Sequence, residues 1–210
     1  MRPDIVNACS VNYDILSVGF SLVWMMERDM RIITNKTVLV VIDFQERLVP
    51  AMHAGASAIG EAVKLIKGFE VFQRPVLVTQ QYTKGLGESV PEIKSAFVSF
   101  SHIEKSAFSA MGEPDFVKNL KETGGKTVVL CGIEAHVCVL QTALDLIEAG
   151  YGVFLATNAI SSRKENDEKQ AIKRMICSGV MPTTVESALF EMLDNDSKSE
   201  KFKAISRLIK

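Results

Sequence analysis

Three residues stand where an apolar run gives out, and their types could do nucleophilic or acid–base chemistry. Asp43 follows "TVLVVI", Lys105 lies in "HIEKSAFSA", and Cys138 lies in "CGIEAHVCVLQTALDLIEAG" (131–150), just past a glycine-ended apolar run. A thiol attacks only as the thiolate, and a helix N-terminus lowers thiol pKa through its unpaired N–H groups and positive potential. The same N–H groups can hold an oxyanion. A cysteine on the first turn of a helix that follows a strand therefore has the placement of a nucleophile. The alternative is a small apolar filler in a packed helix. Asp43 is either a loop cap at a sheet rim or a carboxylate held in a partly buried cleft. Lys105, taken alone, reads as a solvated charge.

The elements that must position these residues alternate along the chain. Buried strands are predicted at 37–43 (TVLVVID), 75–80 (PVLVTQ), 126–132 (KTVVLCG) and 151–160 (YGVFLATNAI), from short runs rich in β-branched residues. Weaker strands are predicted at 98–106 and 180–185. Helical spacing runs through Ile59, Val63, Ile66 and Phe69 in 57–72, and helices are expected at 113–125, after Cys131–Gly132 up to Gly150, and at 163–178. Capping boxes are read at Ser162/Glu165 and at Thr183/Glu186, the second before "ESALFEML". The segment 81–93, with two glycines and a proline, reads as a loop. Strand–helix alternation of this kind predicts an α/β fold: a three-layer α/β/α sandwich around a mostly parallel, Rossmann-like sheet of about six strands. Ligands bind such sheets outside the carboxyl ends of the strands, where Asp43, Lys105 and Cys138 all fall.

The chain has 210 residues, enough for one domain with a sizeable core. Its 24 basic and 25 acidic residues give a net charge of −1 without long blocks of like charge, so nothing suggests a nucleic acid or a membrane surface as partner. That balance points to a small-molecule substrate. The four cysteines, Cys9, Cys131, Cys138 and Cys177, form no C-x-x-C and read as reduced thiols of a cytoplasmic protein, with Cys131 and Cys177 as packing residues. His53, His102 and His136 make no metal-binding pair, so neither a metal nor another cofactor is expected. We divide the chain into an N-terminal extension (1–29), a main α/β domain (30–195) and a C-terminal amphipathic helix (196–210). The apolar stretch 15–26 is too short to span a membrane. Residues 1–29 are either an extension without a catalytic part or a helix that packs on the domain or on a second subunit.

The segments "VVIDFQ", "IEKSAFSA" and "CGIEAHVCVLQTALDLIEAGYGVFLATNAISSR" resemble the isochorismatase-like cysteine hydrolase superfamily. The branch they are most similar to is that of the metal-free isochorismatase domain-containing proteins and their short bacterial relatives. The likeness extends over 36–194 and includes "VTQQYTKGLGESVPEI" and "MICSGVMPTTVESALFEML". The resemblance implies an Asp–Lys–Cys triad, here Asp43 as general base, Lys105 as the cation favouring the thiolate, and Cys138 as nucleophile. It also implies a cis peptide at Ile133–Glu134, which would aim the backbone N–H groups of Glu134 and Cys138 at an oxyanion. Nicotinamidases of the superfamily carry metal ligands after the second strand, where this chain has "QQYTKGLGES". Isochorismatases proper do not use a cysteine nucleophile. Together these departures imply metal-independent hydrolysis of an amide-like carbon–nitrogen bond through a thioester. Rival readings are ester hydrolysis or thiol redox on the same site, or a binding protein without turnover. Gln45, Gln80, Tyr82, Phe108 and His136 are candidates to line the pocket. A homo-oligomer is implied by the family alone, with the extension and the tail helix as candidate interface segments.

Overall fold

The computed structural model describes residues 31–210. Calls on 1–29, including the apolar stretch 15–26 and Cys9, lie outside the described residues. The strands are β1 (Thr37–Ile42), β2 (Val76–Gln81), β3 (Ile103–Lys105), β4 (Thr127–Ile133), β5 (Gly152–Ser161) and β6 (Met181–Thr183). They pair in parallel throughout, in the order β3-β2-β1-β4-β5-β6. The helices are α1 (Gly55–Val71), the single turns α2 (Thr83–Leu86) and α3 (Pro91–Lys94), then α4 (Pro114–Glu122), α5 (Leu140–Glu148), α6 (Glu165–Cys177), α7 (Val185–Met192) and α8 (Glu200–Ile209).

The pleat sorts the core into two halves. In β1, Leu39 and Val41 pack with Leu65, Ile66 and Phe69 of α1, Leu189 of α7 and Ile205 of α8. Val38, Val40 and Ile42 point to the other face, with Phe116 and Leu120 of α4, Leu146 of α5 and Met175 of α6. Every residue of β1 and β4 is buried, as expected for strands covered on both sides. The order of strands reverses between β1 and β4, and sheets of this kind bind ligands outside the carboxyl ends of the strands at such a point. Asp43 leaves β1 there, and the chain from β4 to Cys138 leaves on the adjoining strand.

Gly132 lets those two strands come together. A Cβ at this position would stand 2.5 Å from the Cβ of Ile42 and 2.6 Å from its carbonyl oxygen, and its φ of 155° is one that side chains rarely adopt.

Several local expectations change. The strand expected over 98–106 is confined to Ile103–Lys105, at the sheet edge where only β2 pairs with it. The loop at 81–93 contains the two single-turn helices. Helix α6 starts at Glu165 with Lys164 at its cap and no side-chain cap bond, because β5 runs on to Ser161 and the Ser162 hydroxyl turns to His136. The cap of α7 is Thr184, one residue later than expected, accepting from the Ser187 N–H. Cys177, expected to pack, is exposed at the end of α6. The apolar side of α8 is used within the chain: Ile205 is buried and Phe202, Leu208 and Ile209 pack beside it. No helix among the described residues is long and apolar enough to cross a membrane.

Candidate active site

Asp43 sits one residue past β1 with φ at 54°, a left-handed conformation that Asp tolerates better than most residues. Its carboxylate is fully buried, and its two oxygens are used differently. Oδ1 accepts a 2.7 Å hydrogen bond from Thr79 Oγ1 on β2. Oδ2 lies 2.7 Å from Lys105 Nζ and accepts no well-directed hydrogen bond, which leaves a lone pair able to take a proton. Thr79 thus fixes the carboxylate without occupying its reactive edge.

Lys105 ends β3 and is 2% exposed, so its reading as a solvated charge is wrong. Its ammonium donates to Gln81 Oε1 (2.5 Å) and to the carbonyls of Ala107 and Phe108 (3.2 Å each), and stands 3.6 Å from Cys138 Sγ. A buried ammonium is tolerated only with such partners.

Cys138 lies on a π-helical turn, Ala135–Val139, which precedes α5. Such widened turns recur at functional sites, and this one sets the sulfur, 4% exposed, against Lys105. Here the structure corrects the expected electrostatics. Burial and the negative charge of Asp43 push the Cys138 thiol up to about 12, outweighing the lowering by Lys105. With the shift in that direction, the Cys138 thiol rests protonated. A preformed thiolate is not favoured by this arrangement.

The expected cis peptide is also corrected. No peptide bond among the described residues is cis. The turn out of β4 is made by Gly132 and by Glu134 in the left-handed region, with φ 56° and ψ 53°. Tyr82, at the exit of β2, has φ 38°. Three neighbouring strand exits therefore carry a non-glycine residue in a conformation that costs of order 1–3 kcal/mol, the kind of strain that clusters at functional sites.

The remaining candidates separate. Gln45 is a buried clamp: its Nε2 donates to the carbonyls of Gln81 and Gly87, and its Oε1 accepts from the Gln81 N–H. Gln80 is likewise buried and bonds Thr83, Glu88 and Ser89. Both hold the segment 81–89 and do not reach Cys138. Tyr82 and Phe108 are 60% and 57% exposed. The Tyr82 ring lies over Gly85, where a Cβ would meet it at 2.3 Å. His136, half-buried, bonds Ser162 Oγ at 3.0 Å and stands 3.6 Å from Glu134, whose other oxygen accepts from Arg163 Nε at 2.7 Å. Cys131 is buried among apolar neighbours, which raises its thiol far above the ordinary range.

Sequence reading passed over Thr79, Gln81 and Glu113. Only Thr79 carries a signal, being a polar residue in a run otherwise reading as buried strand. Among the described residues no group of three or more His, Cys, Asp or Glu is placed to hold a metal ion.

Comparisons with known proteins follow from this geometry. Residues 37–187 match the family description "Isochorismatase domain". The chain is 32% identical to isochorismatase domain-containing protein 2 of Danio rerio, over 85% of this chain and 89% of that one. It is 38% identical to the secreted isochorismatase effector Isc1 of Phytophthora sojae, over 86% and 87%. Among solved structures, MAR1 ribonuclease from Caenorhabditis elegans superposes with a TM-score of 0.80 at 37% identity, covering 85% of this chain and 92% of that one. YcaC from Pseudomonas aeruginosa, solved with hexane-2,5-diol and covalent acrylamide, gives 0.79 at 26% identity over 84% and 90%. The Escherichia coli ycaC gene product, described as an octameric hydrolase of unknown specificity, gives 0.80 at 25% identity over 87% and 91%.

Proposed function

The chain belongs to the isochorismatase domain family, which supports a hydrolase role, and on that premise we propose a metal-independent cysteine hydrolase of small amide-like substrates. The observation that carries this reading is the convergence of Asp43 Oδ2, Lys105 Nζ and Cys138 Sγ in one buried cluster, with Lys105 2.7 Å from the carboxylate and 3.6 Å from the sulfur.

In the proposed reaction Asp43 takes the thiol proton as the sulfur attacks the carbonyl carbon, so the thiolate exists only in the attacking state. The backbone N–H groups of Glu134 and Cys138 serve as donors to the oxyanion. Collapse breaks the carbon–nitrogen bond, the leaving nitrogen takes the proton from Asp43, and an acyl thioester remains on Cys138. Water, giving a proton to Asp43, then cleaves the thioester to a carboxylic acid, and the proton returns to sulfur. Lys105 balances the carboxylate and the developing sulfur charge throughout.

Acrylamide alkylates thiols through its vinyl carbon, so its covalent presence in the Pseudomonas relative is compatible with a nucleophilic cysteine in such proteins. The octameric Escherichia coli relative supports a homo-oligomer for this chain. A thiol nucleophile suits a reducing compartment such as the cytoplasm, although the Phytophthora relative is named a secreted effector.

The test is a panel of small amides and carbamoyl compounds, read by mass spectrometry for an acyl adduct on Cys138 and by release of amine or ammonia. The adduct should be absent in Cys138→Ser and should accumulate where deacylation is slow. The same panel carries an ester, a disulfide and a short RNA, since one relative is titled a ribonuclease. RNA cleavage that persists in Cys138→Ser would overturn the proposal, as would the absence of any acyl adduct across the carbonyl substrates.

A further inference from the structure

Lys105 poses a structural problem that its own strand does not solve. β3 is three residues long and lies at the sheet edge, pairing only with β2. So short an edge strand holds its last residue weakly, yet the ammonium must stay between Asp43 and Cys138. The carbonyls of Ala107 and Phe108 do part of this work, and to do it the chain must curl back over the residue it has just left.

We propose that Glu113 is the positioning residue that holds this curl, and through it holds Lys105 against Cys138. One carboxylate oxygen, Oε1, accepts from the Ser106 N–H (2.7 Å), the Ala107 N–H (2.8 Å) and the Ser106 hydroxyl (3.0 Å). The curl turns the N–H groups of 106 and 107 outward together while the carbonyls of 107 and 108 turn inward to the ammonium. Fixing the former therefore fixes the latter. The far end of the loop is tied to the helix after the nucleophile: Ser109 Oγ donates to Asp145 Oδ2 (2.6 Å), and the Ala110 N–H donates to Thr142 Oγ1 (2.9 Å). Glu113 touches none of the three reacting groups. It acts through the loop.

This inference rests on the reading of Lys105 as the cation that favours the thiolate, so its test must separate the two. The reporter is the pH profile of Cys138 alkylation by iodoacetamide, read at each cysteine by mass spectrometry. It is measured in an Asp43→Asn background, where removal of the neighbouring negative charge brings the thiol into a titratable range. In that background Glu113→Ala should raise the apparent pKa by about one unit, a tenfold loss of thiolate at fixed pH. Glu113→Gln should stay close to the parent, because all three bonds use one oxygen that an amide retains. Glu113→Asp keeps the charge but loses the reach, and should behave like Ala.

An unchanged profile in Glu113→Ala, with only a lowered Tm, would overturn the inference. So would Asp behaving like the parent while Gln behaves like Ala, since charge and not placement would then be the cause. Lys105→Met is the control. If it too leaves the profile unchanged, the role given to Lys105 fails; if it shifts the profile and Glu113→Ala does not, the positioning role alone fails. Should Glu113→Ala not fold, the Gln and Asp variants decide the matter by the same comparison.

Discussion

Replacing Asp43, the base of the proposed reaction, should make Cys138 more reactive toward an alkylating agent. Asp43 Oδ2 lies 2.7 Å from Lys105 Nζ, which lies 3.6 Å from Cys138 Sγ, so the oxygen is within about 6.3 Å of the sulfur. A unit charge at that distance, in an effective dielectric of about 20, disfavours the thiolate by roughly 2.6 kcal/mol or more, about two pH units. Asp43→Asn should therefore lower the thiol from its raised position by about two pH units. A less basic thiolate is also a weaker nucleophile, with a Brønsted slope of about 0.4–0.5, so a hundredfold gain in thiolate becomes about a tenfold gain in rate. The assay is iodoacetamide labelling between pH 7 and 10.5, quantified peptide by peptide, with exposed Cys177 as an internal reference. Wild-type Cys138 should show a rate that still climbs at the top of the range, and Asp43→Asn a faster rate that begins to level. Hydrolysis by the same variant should be lost. If Asp43→Asn labels no faster than wild type, the carboxylate does not hold the thiol proton, and the base role of Asp43 fails with it.

Other expectations concern the surroundings. Thr79→Val removes the 2.7 Å bond to Asp43 Oδ1 while keeping shape; kcat should fall by about one to two orders of magnitude, with KM little changed, matching the ~1.5–3 kcal/mol of a hydrogen bond to a charged group, and an unchanged kcat would deny Thr79 its orienting role. Gly132→Ala drives a methyl into Ile42 at a φ of 155°; overpacking costs about 1–3 kcal/mol, which for a chain of this size is roughly 2–12 °C in Tm by differential scanning calorimetry, and no loss would mean that β1 and β4 can part freely. Ile205→Ala empties a fully buried site between α8 and the sheet's α1 side and should cost about 2–5 kcal/mol in urea unfolding, whereas a tail merely appended to the domain would lose nothing. The Glu113 carboxyl is held below the usual range by the Ala107 and Ser106 N–H groups. Its contribution to stability is therefore present above its unfolded pKa and is lost as pH falls through the lower folded value. Glu113→Gln should flatten that acid limb in a Tm-against-pH series, and an unaltered limb would count against the bonds.

The sheet was readable from the sequence because its strands are written in the simplest code, short β-branched runs buried on both faces, as in "TVLVVI". The order of the strands was not, since nothing local in "IEKSAFSA" says that its strand lies at an edge two places from β1. The triad could be named from resemblance, yet its electrostatics could not. Lys105 read alone is a solvated charge; only the fold removes its water and supplies Gln81, Ala107 and Phe108 instead. Gln45 and Gln80 read as pocket residues because they lie near strand ends, but the fold spends their amides on the segment 81–89, Gln45 on its backbone and Gln80 on the Thr83 and Glu88 side chains and the Ser89 N–H. Glu113 had no local signal: its three partners are six and seven residues upstream, and only the curl of the loop brings them round.

The corrected thiol changes what the site has to accomplish. A cysteine lowered by a cation and a helix end would stand ready as a thiolate, exposed to oxidants as much as to substrate. Here the thiol is 4% exposed and its proton is favoured by burial and by Asp43. Burial holds most of the proton's preference for sulfur, and the rest is held by the same carboxylate that is proposed to accept it. Moving that proton to Asp43 Oδ2 removes the carboxylate's repulsion of the sulfur at the moment the sulfur becomes charged, and leaves Lys105, at 3.6 Å, facing the thiolate. The nucleophile is thereby generated in the act of transfer. Oδ1 does not compete for the proton, because Thr79 already donates to it. On this account Lys105→Met should slow both alkylation and hydrolysis, whereas Asp43→Asn should separate them, speeding the first and abolishing the second. A variant pair that moved both rates in the same direction would mean that proton transfer and nucleophile activation are not coupled through Asp43.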